Sequence, residues 1–559
     1  MKNKIFNFSI KTLLIFGLMI FVLSCNESFL NEVPKDFLSA ENVYTDRDGF
    51  ETAITNLHSD ARNFWAGSDG PTYWILPGLG TDFGVYGENF NSGPRMDYTT
   101  LSPTDEYANV FWKYAFTLIK DANTIISRAE YKEVKWNSEK EKMLIIAEAR
   151  FFRAFAYRML ANLFGGVPII ESEITAPKTD FVRSSRDEVY QFAKEDLTYA
   201  AANLPEPDTE NAPGRITKGA ANHLLAEINI SLGNWQEAID AASEVINHPS
   251  YTLMTNRFGA RTGVEGDVFW DLFQRGNQNR TSGNTEAIWV VQIEWSTKGG
   301  GDVNSGGEQH GYTVERGCGA RYFDIKDPDG ASGFVLSDEL GRGVGWLTPT
   351  YYVQQTIWQT DWDNDIRNAS HNIKRQYYYN NPESKYYGQL ATPEVLASQE
   401  LRYYFPTFMK ATTPWDHPDA PGQGYIFRDI YAMRLAETYL LRAEAYLGKE
   451  DKINAAADIN VIRARAQATA ISPSDVDIDL ILDERARELY TEEFRTCTLM
   501  RLGILYERTK KYSMILKGDG SVIASNPSLT IKEYNNLWPI PQSSIDLNGG
   551  AVLEQNPGY

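Results

Sequence analysis

Cysteine is almost missing from this chain: 559 residues carry only Cys25, Cys318 and Cys497. So few thiols exclude a disulfide framework, and the fold must rest on its buried core. Histidine is nearly as scarce, with His58, His223, His248, His310, His371 and His417 scattered along the chain. None forms a His-Glu-x-x-His pair, so the helical zinc-hydrolase pattern is absent. Positive charge also falls short. Against 74 acidic residues stand 54 Lys and Arg, a formal charge of −20 at pH 7. Nucleic-acid phosphates would be repelled by such a surface, which argues against that class of partner. No Gly-x-Ser-x-Gly occurs, and the glycine-rich stretch 299–311 has no Gly-Lys-Ser/Thr. Neither a serine-hydrolase elbow nor a phosphate cradle is expected.

Long apolar runs are limited to one, Leu13–Leu23, preceded by Lys2, Lys4 and Lys11 and followed by Ser24 and Cys25. A basic start, a short apolar stretch and a small residue before cysteine make residues 1–24 a lipoprotein signal peptide. Leu23 stands one position closer to the cysteine than in the commonest lipobox. Cys25 is thus the expected lipidated N-terminus of a mature chain, 25–559, with a lipid tether and no membrane-spanning helix.

Helical periodicity dominates much of the remainder. Ile145, Ala149, Phe152, Ala156, Met159 and Leu163 recur in steps of four and three, with Glu148, Arg153, Arg158 and Asn162 off that face. Gly165, Gly166 and Pro168 end this helix. Residues 218–246 read as a helical hairpin: Ala221, Leu224, Ile228 and Leu232 line its first helix, and Gly233 supplies a left-handed cap. Asn234 and Glu237 open the second helix in a capping-box arrangement, with Trp235, Ala238, Ala242 and Val245 on its apolar face. A similar unit spans 433–466, and weaker ones lie at 107–130 and 187–203. The glycine and alanine register matches tetratricopeptide (TPR) repeats. The fold class is therefore mainly α, a TPR-like helical scaffold with irregular insertions near 62–105 and 255–430. A few short strands are expected, among them 286–295.

Six strings in order resemble the SusD/RagB family. They are SFLNEVPKDFLSAENVYTD at 28–46, ARFFRAFAYRMLANLFGGVPII at 149–170, GRITKGAANHLLAEINISLGNW at 214–235 and YAMRLAETYLLRAEAYL at 431–447. DERARELYTEEFRTCTLMRLG at 483–503 and LWPIPQSSIDLNGGAVLEQNPGY at 537–559 complete the set. The resemblance implies about four TPR-like units carrying an irregular binding region. It also implies a lipoprotein on the outer face of an outer membrane, sitting as a lid on a SusC-like, TonB-dependent barrel. Oligosaccharide is the implied cargo, peptide the alternative, and a surface glycosidase a more distant one.

Catalysis is not expected from the residues themselves. Glu484, Glu488, Glu492 and Glu493 interleave with Arg485, Arg487 and Arg495, which reads as helix-surface ion pairing. Asp361, Asp363 and Asp365 alternate as in a calcium loop, but Ile366 and Asn372 stand in place of its glycine and bidentate glutamate. No cofactor and no metal site is expected. Aromatics remain: 13 Trp, 31 Tyr and 27 Phe. Rings in polar, non-periodic stretches can stack on sugar faces, whereas those on helix faces, such as Phe152, belong to the core. The ligand candidates are Trp65, Tyr73, Trp74 and Tyr86, then Trp295, Tyr312, Tyr322 and Trp346. Asp82, Arg321 and Asn304 are candidate hydrogen-bonding partners.

Overall fold

The structure is a computed structural model. It describes residues 43–559 apart from 67–71, 89–92, 94, 209–212, 299–300, 303–312, 338, 393–394, 397–399, 413–425 and 518. The scaffold begins with α1 (Arg47–Ala66), a short α2 (Thr72–Gly78), α3 (Glu106–Ala129), α4 (Glu139–Phe164) and α5 (Arg186–Asn203). After these come α6 (Lys218–Ser231), α7 (Trp235–Ile246), α8 (Leu435–Gly448) and α9 (Lys452–Arg465). Leaving α2 aside, each of these helices packs on the next, from α1 against α3 through to α8 against α9. That succession of packed neighbours is the mainly α stack expected from the periodicity. Two more helices, α10 (Ile478–Leu489) and α11 (Arg495–Leu502), brace it, against α8 and α4 respectively.

Helix α4 is buried on every side, touching α1, α3, α5, α6 and α11. The residues expected on its polar side are therefore inside. Arg153 is buried and binds Asp196 through two bonds of 2.7 Å, and Arg158 binds Glu227 at 2.8 and 2.7 Å. Each inward charge persists because a partner helix supplies its counter-ion. Gly165 ends α4 at φ +76, and the C-terminal strap then closes over it. Trp538 donates its N–H to the Leu163 carbonyl at 2.7 Å, and Asn556 donates to the carbonyls of Phe164 and Trp538 at 2.9 and 2.7 Å.

Gly233 adopts φ +72, as a left-handed cap requires. The capping box expected from Asn234 does not form; its amide instead donates to the Asn229 side chain at 3.4 Å.

Between α7 and α8 the chain leaves the stack to build the large insertion, although α7 and α8 themselves pack together. The expected strand is there as β2 (Ala287–Val291), antiparallel to β4 (Ile430–Arg434), with Ala287 opposite Arg434. A second pair joins β1 (Gly84–Tyr86) to β3 (Leu347–Pro349). Trp289 of β2 is buried in a cage of Trp65, Phe151, Phe152 and Phe155. The insertion has a small core of its own, including Tyr322, Phe334, Tyr377, Tyr379 and Phe405.

A lattice of buried ions ties insertion to scaffold. Arg367 binds Asp365 at 2.7 Å, Glu484 at 2.8 Å and Glu488 at 2.9 Å. Arg434 reaches Glu488 at 2.5 Å and Glu492 at 2.7 Å, while Arg463 joins Asp361 to Glu484. Lys410 sits at 2.6 Å from Glu492, where burial pushes it down to about 8. The surface pairing expected for Glu484, Glu488, Glu492 and Glu493 is thus corrected: all four carboxylates are inside or nearly so. Burial alone would raise the Glu484 carboxyl, but Arg367, Arg487 and Arg463 hold it down to about 2.

Candidate functional site

The insertion brings three distant stretches to one surface: 86–88, 316–346 and 400–404. Pairing of β1 with β3 sets Tyr86 opposite Leu347, and the Gly87 N–H donates to the Trp346 carbonyl at 3.1 Å. Two glycines permit this closeness. A Cβ at Gly87 would lie 2.2 Å from the Gly345 carbonyl oxygen, and Gly345 itself has φ +71 with the Arg402 backbone beside it. The Arg321 N–H donates to the Arg402 carbonyl at 2.9 Å, locking the third stretch in place.

Four half-buried rings emerge there: Tyr86, Phe323, Trp346 and Tyr403. Each lies beside charge. Arg316 is 5.3 Å from the Trp346 ring centroid, Arg321 and Arg342 are 5.7 and 6.0 Å from that of Phe323, and Arg402 is 5.8 Å from that of Tyr403. Tyr86 donates its hydroxyl to Glu88 at 3.1 Å; Glu88 pairs with Arg402 at 2.8 Å, and Arg402 with Glu400 at 3.1 Å. Burial, reinforced by Glu88, pushes the Tyr86 phenol up to about 12, so it stays a neutral hydrogen-bonding group. Flat apolar faces rimmed by fixed donors and acceptors suit a ligand with many hydroxyls.

Of the expected ligand residues, Tyr86, Arg321 and Trp346 meet on this surface. Arg321 is also ion-paired with Asp324. Helix α2, which carries Tyr73 and Trp74, packs against the short helix Val314–Cys318 from which Arg316 projects. The side chains of Tyr73, Trp74 and Trp295 lie outside the described residues, as do Cys25, Asn304 and Tyr312 altogether.

Three candidates are corrected. Trp65 is 5% exposed, stacked on Phe155 at 5.8 Å, because it closes the apolar stripe of α1. Asp82 is fully buried between Arg495, at 3.0 and 2.6 Å, and Arg508, at 3.0 Å. Burial would raise its carboxyl, but these guanidiniums outweigh that and hold it below the usual carboxylate range. Tyr322 is fully buried in the insertion core and donates its hydroxyl to the Gly341 carbonyl at 3.0 Å.

A cavity of about 490 Å³ between α1 and β2 is lined by His58 and Arg215, whose side chains lie 2.8 and 2.6 Å from Glu148. Asp361 and Asp365, part of the calcium-like alternation, serve Arg463 and Arg367. Among the described residues no group of three or more His, Cys, Asp or Glu is placed to hold a metal ion. Cys318 and Cys497 are buried, and desolvation pushes both thiols up to about 12, so neither is an activated nucleophile.

The sequence model of the SusD family matches residues 285–559 of this chain. A second model, described as "Starch-binding associating with outer membrane", matches residues 83–230. The chain belongs to the SusD family. Among relatives, SusD-like protein P2 of Formosa agariphila is 25% identical over 97% of this chain and 98% of its own. The starch-binding protein SusD of Bacteroides thetaiotaomicron is 27% identical over 74% of this chain and 72% of its own. Surface glycan-binding protein A of Bacteroides thetaiotaomicron, solved in complex with laminarihexaose, shares the fold. Its TM-score is 0.64 at 18% identity, over 92% of this chain and all of that one.

Membership of the SusD family accounts for the helical stack but does not assign individual ligand contacts. Phe323, Arg316, Arg342, Arg402 and Tyr403, which the structure places on this surface, were not singled out by the sequence. Tyr403 and Phe323 each adjoin another aromatic, and no period distinguishes the outward ring from the inward one.

Proposed function

We propose that this protein is an outer-membrane surface lipoprotein, anchored through Cys25, that binds oligosaccharide and delivers it to a SusC-like, TonB-dependent transporter. The observation that carries the binding role is the convergence of Tyr86, Phe323, Trp346 and Tyr403 on one charge-rimmed surface. Tyr86 and Trp346 pack by one side on the main core and Phe323 and Tyr403 on the insertion core, and all four remain partly exposed. The starch named for one relative and the laminarihexaose bound to one structural neighbour support sugar as the cargo. The lipid anchor rests on the lipobox-like end of the leader, and the transporter partnership on family membership.

A glycan and peptide array probed with the mature chain tests the reading, with detergent co-purification from outer membranes alongside. Oligosaccharide binding and recovery of a large barrel are the expected results. Binding of peptides alone makes the cargo peptide, and conversion of a bound glycan would restore the glycosidase reading. Recovery of the lipoprotein alone, time after time under mild detergent, overturns the transporter role.

A further inference from the structure

Half-buried arginines without an acidic partner are usually satisfied here by carbonyls. Arg183 donates to the carbonyls of Gly166 and Glu554 and to the Asn556 side chain. Arg186 donates to those of Ala161 and Met500, and Arg280 to that of Ser250, though the Arg280 Nε finds no acceptor. Arg375 is different. Its Nη2 donates to the Gln354 carbonyl at 3.2 Å, its Nε finds no acceptor, and no carboxylate among the described residues lies within ion-pair distance. The guanidinium instead sits 4.7 Å from the ring centroid of Trp362. Burial pulls Arg375 down to about 10 because no counter-charge offsets its lost hydration. In a chain of net charge −20 an uncompensated cation stands out.

Trp362 is 39% exposed, one of the few large rings left so open. Of the acids near it in sequence, Asp361 is occupied inward by Arg463 and Asp365 by Arg367, while Asp363 is exposed. The backbone beneath Arg375 is fixed: the Tyr404 hydroxyl donates to its carbonyl at 2.9 Å, and Ile373–Lys374 pairs with Thr407–Phe408. Tyr404 directly follows Tyr403 of the aromatic surface, so the two places share one stretch of chain.

We propose that Arg375 and Trp362 form a subsite for an acidic saccharide, the indole stacking on a sugar ring and the guanidinium pairing with its carboxylate or sulfate. This rests on the oligosaccharide reading above. A planar guanidinium fork accepts either anion in a bidentate manner, and charge-assisted bonds of this kind are the strong ones. The open indole favours a ring-bearing ligand over a peptide carboxylate, because a flat apolar face needs a flat partner.

Calorimetry on the intact mature chain tests this, with oligogalacturonate, a sulfated galactan oligosaccharide, uncharged laminarihexaose and an acidic peptide as four separate probes. An acidic saccharide should bind, more weakly as salt rises, and Arg375→Met should weaken it about tenfold to a hundredfold. Arg375→Lys should recover part of that loss, Trp362→Ala should cost less than Arg375→Met, and any laminarihexaose affinity should be unchanged. The carboxylate and sulfate probes tell the two anions apart. Equal binding of the acidic saccharides to wild type and Arg375→Met overturns the subsite. Binding of laminarihexaose with no acidic saccharide bound overturns it too, while leaving the oligosaccharide reading intact. Binding of the acidic peptide alone overturns both. Melting temperature is followed throughout; if Arg375→Met unfolds, Arg375→Lys and Trp362→Ala carry the comparison.

Discussion

The buried ion lattice and the aromatic surface are made from the same side chains, arginine, carboxylate and aromatic ring, yet they face opposite ways. In the lattice Arg367 and Arg434 are lost to solvent, and each holds two or more carboxylates from other elements. At the surface Arg316, Arg342 and Arg402 lie over rings that reach solvent. One arrangement spends its charge on joining the insertion to the stack; the other sets half-buried ring faces among guanidiniums at the surface. Residue type does not separate these roles. Enclosure does, since a buried charge persists only with its partners in place.

The sharpest way to break the comparison is Arg434→Met. It removes the cation that Glu488 and Glu492 share, leaving Glu488 to Arg367 and Arg465 and Glu492 to Lys410, and breaking such a buried network should cost about 3–5 kcal/mol in equilibrium unfolding. Trp65→Ala should cost a similar amount, about 3–5 kcal/mol, by emptying the cage around Trp289. At the surface, Tyr86→Ala with Trp346→Ala should weaken a bound oligosaccharide roughly tenfold to thirtyfold, at about 1 kcal/mol per stacking ring. Calorimetry would measure this, with the melting temperature close to wild type. A double variant that melts early would place both rings in the core after all.

Acid should separate the regions more gently. Glu484 is held down to about 2, against an ordinary 4.5. Its contribution is complete above the ordinary value and drains away as pH falls from about 4.5 through about 2. Melting curves across that window should show the loss. Smallest of all is the salt effect: an uncharged glycan on the aromatic surface should change affinity less than about twofold, since screening acts on charged partners.

Much of the scaffold is legible because a 3.6-residue period survives in the sequence. Helix α3 and helix α5 appear within a residue or two of 107–130 and 187–203. Helix α1 shows where the reading stops short. Phe50, Ile54, Leu57, Ala61 and Phe64 are a clean helical stripe, all buried, and Trp65 ends it instead of opening the irregular stretch. Asp82 resembles a free acid until Arg495, 413 residues away, folds against it. Tyr322 and Phe323 share a single tight turn, where neither a helix nor a strand period says which ring points inward. Tyr86 and Trp346 stand out in the sequence because polar, non-periodic segments hold them, and the structure leaves both half-buried beside the main core. Trp362 sits in an aspartate-rich run in which Asp361 and Asp365 serve arginines.

The direct packing of α7 on α8 carries one more consequence. The excursion between them is pinned at its neck by β2 and β4, where Ala287 stands opposite Arg434. A loop with abutting ends can be exchanged at modest entropic cost, because lengthening it adds little once closure is made. Residues 292–429 are thus a natural cassette for altering what the protein recognises. The cut carries a condition: Arg367 and Lys410 lie inside it, yet they neutralise Glu484, Glu488 and Glu492 outside it. Any transplant that keeps the stack upright must bring its own two cations to those carboxylates.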